Sequence, residues 1–409
     1  MILPINIVNA ELLISYYAYP WVDGRGVYTH GLYDLNPWIL AWSEDRFVNR
    51  KKIAVIGAGV SGLCALKHLT ENLEDFGRRC LRRCGQLFRS RRIQLMASWM
   101  SSDSYYGVVA GIGSSKTGAD STSPYNTNTS LLYTVLISSS NYSKCHIPNV
   151  KGIENFTGHV IHSRDYRTPE VYQRQRVLIL GASFSGLDIT FDLSKNAAQI
   201  YIGHRKDKMQ IKLPANVSER PDASHLDVGI KVVFLDGSET EVDSIIFCTG
   251  YSYDFPFLAD DTIQVKDERI KPLYKHLVHI KYHNLFFVGI TRHVSYFMQA
   301  HEQAKAAVAI LKGGIQLPSE QAMLEDAERE FQQKRQDYGM SHLHAHYLGM
   351  GDLEWKLNKD HAELCGFEPL PPVLKSIMEH VKESRSADFC NFRKKNYFFK
   401  DAQHFGVID

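Results

Sequence analysis

Two short stretches limit the folds open to this chain more than anything else in it. In KKIAVIGAGVSGLCALKHL, an apolar run from Ile53 to Ile56 is followed by Gly57, Gly59 and Gly62, then by apolar residues at helical spacing after Val60. In QRVLILGASFSGLDITFDLSKNAAQIYIGHRKDK the same order recurs, with Val177 to Leu180 as the apolar run and Gly181-x-Ser183-x-x-Gly186 as the turn. Each reads as strand, tight turn and helix. The first glycine of such a turn makes the bend, the second lets backbone approach a pyrophosphate, and the third lets helix and strand pack closely. The helix N-terminus then offers its N–H groups to the phosphates. A lone G-x-G-x-x-G is a weak signal and can be a glycine-rich turn without a ligand; in strand–turn–helix context it marks a dinucleotide site. Serine at 183 is small enough for the close approach and adds a hydroxyl, so the second turn reads as a modified fingerprint.

The two turns stand about 125 residues apart. Because each such unit holds one dinucleotide, the pair points to a flavoprotein that takes hydride from a nicotinamide. After the second helix, a strand from Gln199 to Ile202 leads to His204, Arg205 and Lys206, where an NAD site is expected to carry an acid. Cations there favour the 2′-phosphate of NADP, although a solvated basic turn is the plainer alternative. Further on, GIKVVFLDGSETEVDSIIFCTGY reads as a hairpin with Asp236-Gly237 at its turn, followed by a strand from Ile245 to Thr249. HNLFFVGITRHVSYFMQAHEQAKAAVAILKG reads as a strand from Leu285 to Val288 and a helix from about Met298 to Leu311.

The 409 residues carry a formal net charge of +2, which gives no ground for a nucleic-acid partner. The seven cysteines are scattered without a C-x-x-C pair, which suits a reducing compartment, and the cytoplasm is the expected location. The first 22 residues lack a basic n-region and an unbroken apolar run, so no signal peptide is expected, and no window suggests a transmembrane anchor. The histidines at 276, 279 and 283 and at 342, 344 and 346 lack the mixed ligand context of a known zinc motif, so no metal is expected.

Just before the second turn stands NFTGHVIHSRDY, which matches the F-x-G-x-x-x-H-x-x-x-[Y/F/W] pattern through Phe156, Gly158, His162 and Tyr166. With it come Gly57-Ala58-Gly59-Val60-Ser61-Gly62, Gly181-Ala182-Ser183-Phe184-Ser185-Gly186 and Phe247-Cys248-Thr249-Gly250-Tyr251, in the order found in flavin-containing monooxygenases. The chain resembles that family, especially its invertebrate members, over residues 50 to 71 and about 132 to 400. The resemblance implies FAD at Gly57, Ala58, Gly59, Ser61 and Gly62, and NADPH at Gly181, Ser183, Ser185, Gly186 and Arg205, with Thr249 and Gly250 on the strand that returns beside them. It also implies that NADPH reduces the flavin, that O2 adds to give a C4a-hydroperoxyflavin, and that the nitrogen or sulfur of a small lipophilic amine or sulfide is oxygenated. No side chain is assigned as catalytic, since the flavin does the difficult step; His162 and Tyr166 belong to a linking motif rather than to a proton relay.

The expected fold is α/β with two Rossmann-like dinucleotide-binding domains, the NADP domain inserted into the FAD domain. Residues 1–50 form an N-terminal extension, 51–150 the first part of the FAD domain, 151–252 the NADP(H) domain, and 253–409 the return to the FAD domain with a helical C-terminal region that packs on it or on a second subunit of a homo-oligomer. The pattern breaks between residues 72 and 131. Seven arginines fall between residues 78 and 92 with no acid among them, where a ribose-binding carboxylate is expected. Residues 101–130 are rich in Ser, Thr, Gly and Asn, as a linker is. A misread exon or frame would account for so abrupt a loss and recovery of pattern. Two alternatives to a working monooxygenase therefore stand: a catalytically impaired NADP-binding relative unable to hold FAD, and a different flavoprotein such as a Baeyer–Villiger monooxygenase or a pyridine-nucleotide reductase.

Overall fold

The computed structural model describes residues 8–9, 39–41, 53–56, 61, 64–65, 68–69, 134–138, 142, 144–205, 208–256, 258, 261–349 and 351–408. Among the described residues five α-helices organise it: α1 (Phe184–Leu193), α2 (Tyr296–Lys312), α3 (Glu320–Asp337), α4 (Asp352–Cys365) and α5 (Pro372–Ala387). The chain divides into two compact units, one of residues 1–33, 142–252 and 371–409, the other of residues 34–141 and 253–370. The linker-like residues 101–130 and the arginine-rich stretch lie outside the described residues.

In the first unit a five-stranded sheet runs in the order 159–162, 244–247, 176–180, 199–204, 217–221, and every pairing is parallel. A parallel sheet must be covered on both faces, which is why its central strands are unbroken apolar runs rather than alternating ones. Arg176–Leu180 and Ser244–Phe247 are such strands. Leu178, Leu180, Ile245 and Phe247 pack with Val150, Leu226, Val232, Phe234 and Val242. Four of those partners come from the strands Ala223–Leu226, Lys231–Phe234 and Glu239–Glu241, which form a small antiparallel sheet, and from their flank at Val242. The expected Asp236-Gly237 turn is present: Gly237 has φ +79° and Asp236 accepts from the Ser238 N–H at 2.9 Å.

Sequence reasoning keeps 253–409 as one return segment, whereas the structure divides it at Pro371. The reason lies on α1. Phe389 stacks on Phe191 with ring centroids 4.4 Å apart, and Arg393 pairs with Asp188 at 2.6 Å. These contacts bind α5 and its hairpin, Asn396–Phe399 with Phe405–Ile408, to the first unit.

In the second unit a six-stranded sheet runs 273–274, 278–279, 285–287, 134–137, 53–56, 39–41. The three central strands are parallel. Side chains alternate across it. Leu136, Phe286 and Val288 join Ala65, Leu69, Ala304, Ala307 and Leu311 in one cluster, while Val135, Ile137, Leu285 and Phe287 join Tyr253, Leu258 and Ile290 in another. The strand beside 53–56 on its outer side is 39–41, and it is antiparallel. A doubly wound unit would place its parallel second strand there, with the ribose acid at its carboxyl end. Part of the expected N-terminal extension thus pairs the open backbone edge of the 53–56 strand, which would otherwise stay exposed.

Candidate nucleotide sites

The second glycine turn follows the carboxyl end of the 176–180 strand, the edge at which parallel sheets bind ligands. Gly181 has φ +106°, and a Cβ there would lie 2.4 Å from the Cys248 carbonyl oxygen. Only glycine meets both conditions. At Gly186 a Cβ would stand 1.8 Å from the Gly181 carbonyl oxygen, so α1 seats directly on the turn because position 186 is bare. Ser183 precedes α1 with φ −89° and ψ −158°, and its hydroxyl makes no cap hydrogen bond. The first turn of α1 carries no acid. An exposed Ser183 hydroxyl beside the N–H groups of a helix start is a donor set suited to a phosphate.

The structure brings the other expected residues to this turn through backbone contacts. The Cys248 N–H donates to the Leu180 carbonyl at 2.7 Å, which lays the Cys248-Thr249-Gly250 segment alongside Gly181. Thr249 donates its hydroxyl to the His146 carbonyl, and the His146 N–H donates to the Gly250 carbonyl at 2.9 Å. His162 ends the 159–162 strand and is 3% exposed. Its Nδ1 accepts from the Arg164 N–H at 3.1 Å, so the ring proton sits on Nε2, which donates to the Gly250 carbonyl at 3.0 Å. Both nitrogens are used, and burial holds the imidazole below its ordinary pKa. His162 is a neutral brace between two strand ends.

The remaining motif residues fix the same scaffold at other points. A Cβ at Gly158 would lie 2.5 Å from the Phe156 ring and from the Asp243 carbonyl, so Phe156 folds over a residue that must lack a side chain. Phe156 itself packs against the Phe234 cluster, away from the glycine turn. Tyr166, 2% exposed, donates to Asp192 Oδ2 near the end of α1 at 2.9 Å and stacks on Tyr172. Burial and the Asp192 charge push the Tyr166 phenol up, so it stays protonated.

The basic turn is more qualified than its sequence. His204 is drawn inward, with Nε2 2.9 Å from Glu219 Oε1. Arg205 donates its Nε to Asp222 Oδ2 at 2.7 Å, yet its side chain is 80% exposed. A surface pair of this kind is weak and leaves the rest of the guanidinium available to an anion. Lys206 lies outside the described residues.

Of the first glycine motif, Gly57, Ala58, Gly59 and Gly62 lie outside the described residues. Ser61 is 1% exposed, and its Oγ is 2.8 Å from the Tyr296 hydroxyl at the start of α2. Gly289, just after the 285–287 strand, has φ +84° and leaves room for Ser61: a Cβ there would be 2.1 Å from the serine oxygen. Gln303 of α2 accepts from the Gly289 N–H at 2.7 Å. Beyond the carboxyl ends of the parallel strands, Ser138 Oγ and Thr291 Oγ1 are buried without a hydrogen-bond partner among the described residues. Unpaired buried donors and acceptors at that edge fit a polar cofactor.

Among the described residues, no group of three or more histidine, cysteine or acidic side chains could hold a metal ion. The histidines noted in sequence have other employment: His276 meets His346 at 2.8 Å and Glu330 at 2.7 Å, and His279 bonds the Thr262 carbonyl. Among the described residues, no helix is long and apolar enough to cross a membrane.

A parallel sheet with a glycine turn at its carboxyl edge, preceded in the chain by a second strand–serine–helix unit, defines a dinucleotide-binding α/β protein. The flavin-binding monooxygenase-like family model matches residues 118–213 and 209–353. The chain belongs to that family. It is 32% identical over 229 residues to flavin-containing monooxygenase FMO GS-OX5 of Arabidopsis thaliana, covering 54% of this chain and 49% of that protein. It is 30% identical over 276 residues to senecionine N-oxygenase of Tyria jacobaeae, covering 64% and 58%. The chain thus spans about half the length of the curated relatives it matches. Among solved structures, S-allyl-L-cysteine S-oxygenase from Allium sativum superposes with a TM-score of 0.58 at 29% identity, covering 64% of this chain and 60% of that one. Tmm from Pelagibacter shares the fold, with a TM-score of 0.57 at 24% identity, over 68% of this chain and 61% of that one.

Proposed function

We propose that the chain is an NADPH-dependent flavin monooxygenase that inserts one oxygen atom of O2 into the nitrogen or sulfur of a small lipophilic amine or sulfide. The observation that carries this is the second glycine turn: Gly181 and Gly186 are sterically obligatory, the Ser183 hydroxyl makes no cap bond, and Arg205 is exposed one strand away. In this reading NADPH lies with its pyrophosphate at Ser183, Ser185 and Gly186 and its 2′-phosphate at Arg205. FAD would occupy the carboxyl edge of the second unit, along Gly57, Ala58, Gly59, Ser61 and Gly62, with Ser138 and Thr291 giving it polar contacts. When bound, the flavin supplies the redox chemistry that splits O2 between substrate and water.

The residues themselves position and exclude. His162 and the Thr249–His146 bond hold Gly250 beside the nucleotide turn, and Tyr166 fixes α1 against the segment that precedes it. Neither His162, whose nitrogens are both engaged, nor Tyr166, whose phenol is pushed up, exchanges a proton in this scheme. No disulfide joins cysteines among the described residues. Reports of N-oxygenase and S-oxygenase relatives agree with a soft nucleophile as substrate.

A second reading is favoured by the antiparallel 39–41 strand beside 53–56 and by the absence of an acid in residues 78–92: an NADP-binding relative that does not retain flavin. One experiment separates the two. The purified chain is incubated with FAD, desalted, and its visible spectrum followed after NADPH addition in air. Retained flavin that bleaches and recovers supports the monooxygenase; colourless protein that still quenches NADPH supports the second reading.

A further inference from the structure

Helices α2 and α4 of the second unit are pinned together at two levels. The Ser295 N–H, at the start of α2, donates to Glu354 at 2.8 Å, and Cys365 at the end of α4 approaches the Ala306 carbonyl at 3.7 Å. Both contacts join residues 59 apart in sequence, so the helices run parallel and in register. The same offset sets Asn358 opposite Gln299 and His361 opposite Glu302. All four are buried, at 2%, 1%, 0% and 1% exposure. Both amide atoms of Gln299, both of Asn358, His361 Nδ1 and Glu302 Oε2 have no hydrogen-bond partner among the described residues.

Six facing polar atoms left dry would be far outside what native interiors tolerate, whereas ordered water with two to four polar partners satisfies such groups routinely. The ends of this seam differ. At one end Glu354 meets Ser295, next to Tyr296, whose hydroxyl bonds Ser61 of the first glycine-motif helix. At the other, two helical turns or about 10 Å along, Glu302 stands 3.9 Å from His301 and 3.7 Å from Lys305, whose side chains are 35% and 30% exposed. His361 faces Glu302 from α4, and His68 reaches it through His301 at 3.2 Å.

We propose that a file of internal water fills the seam between α2 and α4 and conducts protons from the surface at His301 and Lys305, through Glu302 and Glu354, to the nucleotide edge of the sheet. The inference rests on the monooxygenase reading, whose balance requires it: NADPH, one proton, O2 and substrate give NADP, oxygenated substrate and water, so one proton enters per turnover. Burial holds Glu302 and Glu354 each at about 7, where a carboxyl both takes and releases a proton near neutrality.

The test uses the full chain with Gln299→Leu and Asn358→Leu together, which replaces the facing amides by apolar groups of similar size. Carboxyl carbon NMR of glutamate-labelled chain, without added cofactor, should show Glu302 and Glu354 titrating near neutrality in the wild type and moved upward in the double variant. With FAD and NADPH present, stopped-flow proton uptake reported by an indicator dye should fall about tenfold or more behind wild type, with NADPH affinity and melting temperature held. Unmoved glutamate titrations, or wild-type proton uptake in the variant, overturn the proposal. A wild type that oxidises no NADPH refutes the monooxygenase reading instead, and the titrations still decide the seam. If the double variant does not fold, Glu302→Gln serves: unchanged proton uptake in it is equally fatal.

Discussion

Replacing Gly186 with alanine isolates the seating of α1 from every other feature of the second nucleotide site. The new Cβ would lie 1.8 Å from the Gly181 carbonyl oxygen. Contact distances start near 3.0 Å and are comfortable at 3.4 Å, so α1 and the turn must separate by 1.2 Å (3.0 − 1.8) to 1.6 Å (3.4 − 1.8). The obstacle is backbone rather than the tip of a side chain, and it cannot rotate away. Overpacking of this kind costs about 1–3 kcal/mol, which lowers the melting temperature by roughly 3–10 °C in a domain of this size. The same displacement carries the α1 N–H groups out of reach of a phosphate. Losing one hydrogen bond to a charged group costs about 1.5–3 kcal/mol, or roughly ten- to a hundredfold in the NADPH dissociation constant. Thermal unfolding and NADPH fluorescence titration measure the two effects. Gly250→Ala is the control: its φ is +81° but no atom stands within 4 Å of the added Cβ, so the cost is the left-handed backbone alone, about 1–2 kcal/mol. A Gly186→Ala chain that melts like wild type and binds NADPH within about threefold of it would refute the reasoning that α1 is seated on the turn.

Arg205→Ala should weaken NADPH binding by about tenfold, leave NADH binding and thermal stability unchanged, and remove part of the salt dependence of NADPH affinity, all read from titrations at two ionic strengths. His162→Phe leaves the Arg164 N–H unpaired and removes one of the two hydrogen bonds to the Gly250 carbonyl, and should cost about 1–3 kcal/mol by chemical denaturation. His162→Gln, which can reach one partner, should recover part of that. Acid stability follows from His361, which burial pushes down to about 4. The unfolded chain takes up that proton first, so the stabilisation is complete above about 6.5 and is lost as the pH falls towards 4, about 3 kcal/mol in all. His361→Gln should flatten the acid limb of a melting temperature–pH curve. Glu302 has the opposite sign: raised to about 7 by burial, it contributes fully below its unfolded value and loses that contribution as the pH rises through 7. Glu302→Gln should therefore stabilise the chain at pH 8 more than at pH 5, and equal shifts at the two pH values would contradict the burial argument.

Phe156, Gly158, His162 and Tyr166 stand out in the sequence as a family mark, but the mark gives no hint of what each does. The structure shows what three of the four answer to. Gly158 yields to the Phe156 ring and the Asp243 carbonyl, His162 braces Gly250 across 88 residues, and Tyr166 secures the helix that the nucleotide turn begins. A local pattern can specify the residue types without revealing partners so far away in the chain. The second glycine turn was legible because its constraint is local: a positive φ or a missing Cβ at a fixed spacing has the same cause in any chain. Arg205 was half legible, since the cation shows in the sequence whereas its pairing with Asp222 does not.

The polar stripe on α2 misleads in a way that explains its importance. Gln299, Glu302 and Gln303 fall at i, i+3 and i+4 among alanines, the spacing of a solvated face, and sequence alone gives no reason to bury them. Gln299 and Glu302 are buried because α4 brings an equally polar stripe, Glu354, Asn358 and His361, against the same side, with a common offset of 59 residues, whereas Gln303 bonds the Gly289 N–H and the His276 carbonyl. Two apolar stripes would hold these helices together more firmly, since paired buried polar groups rarely exceed hydrophobic replacements in stability. Facing amides and carboxyls at that seam therefore cost stability that a purely structural contact would not need to give up. On the proposed proton path the seam has to stay wet, a demand that would offset this cost and that no nucleotide motif announces.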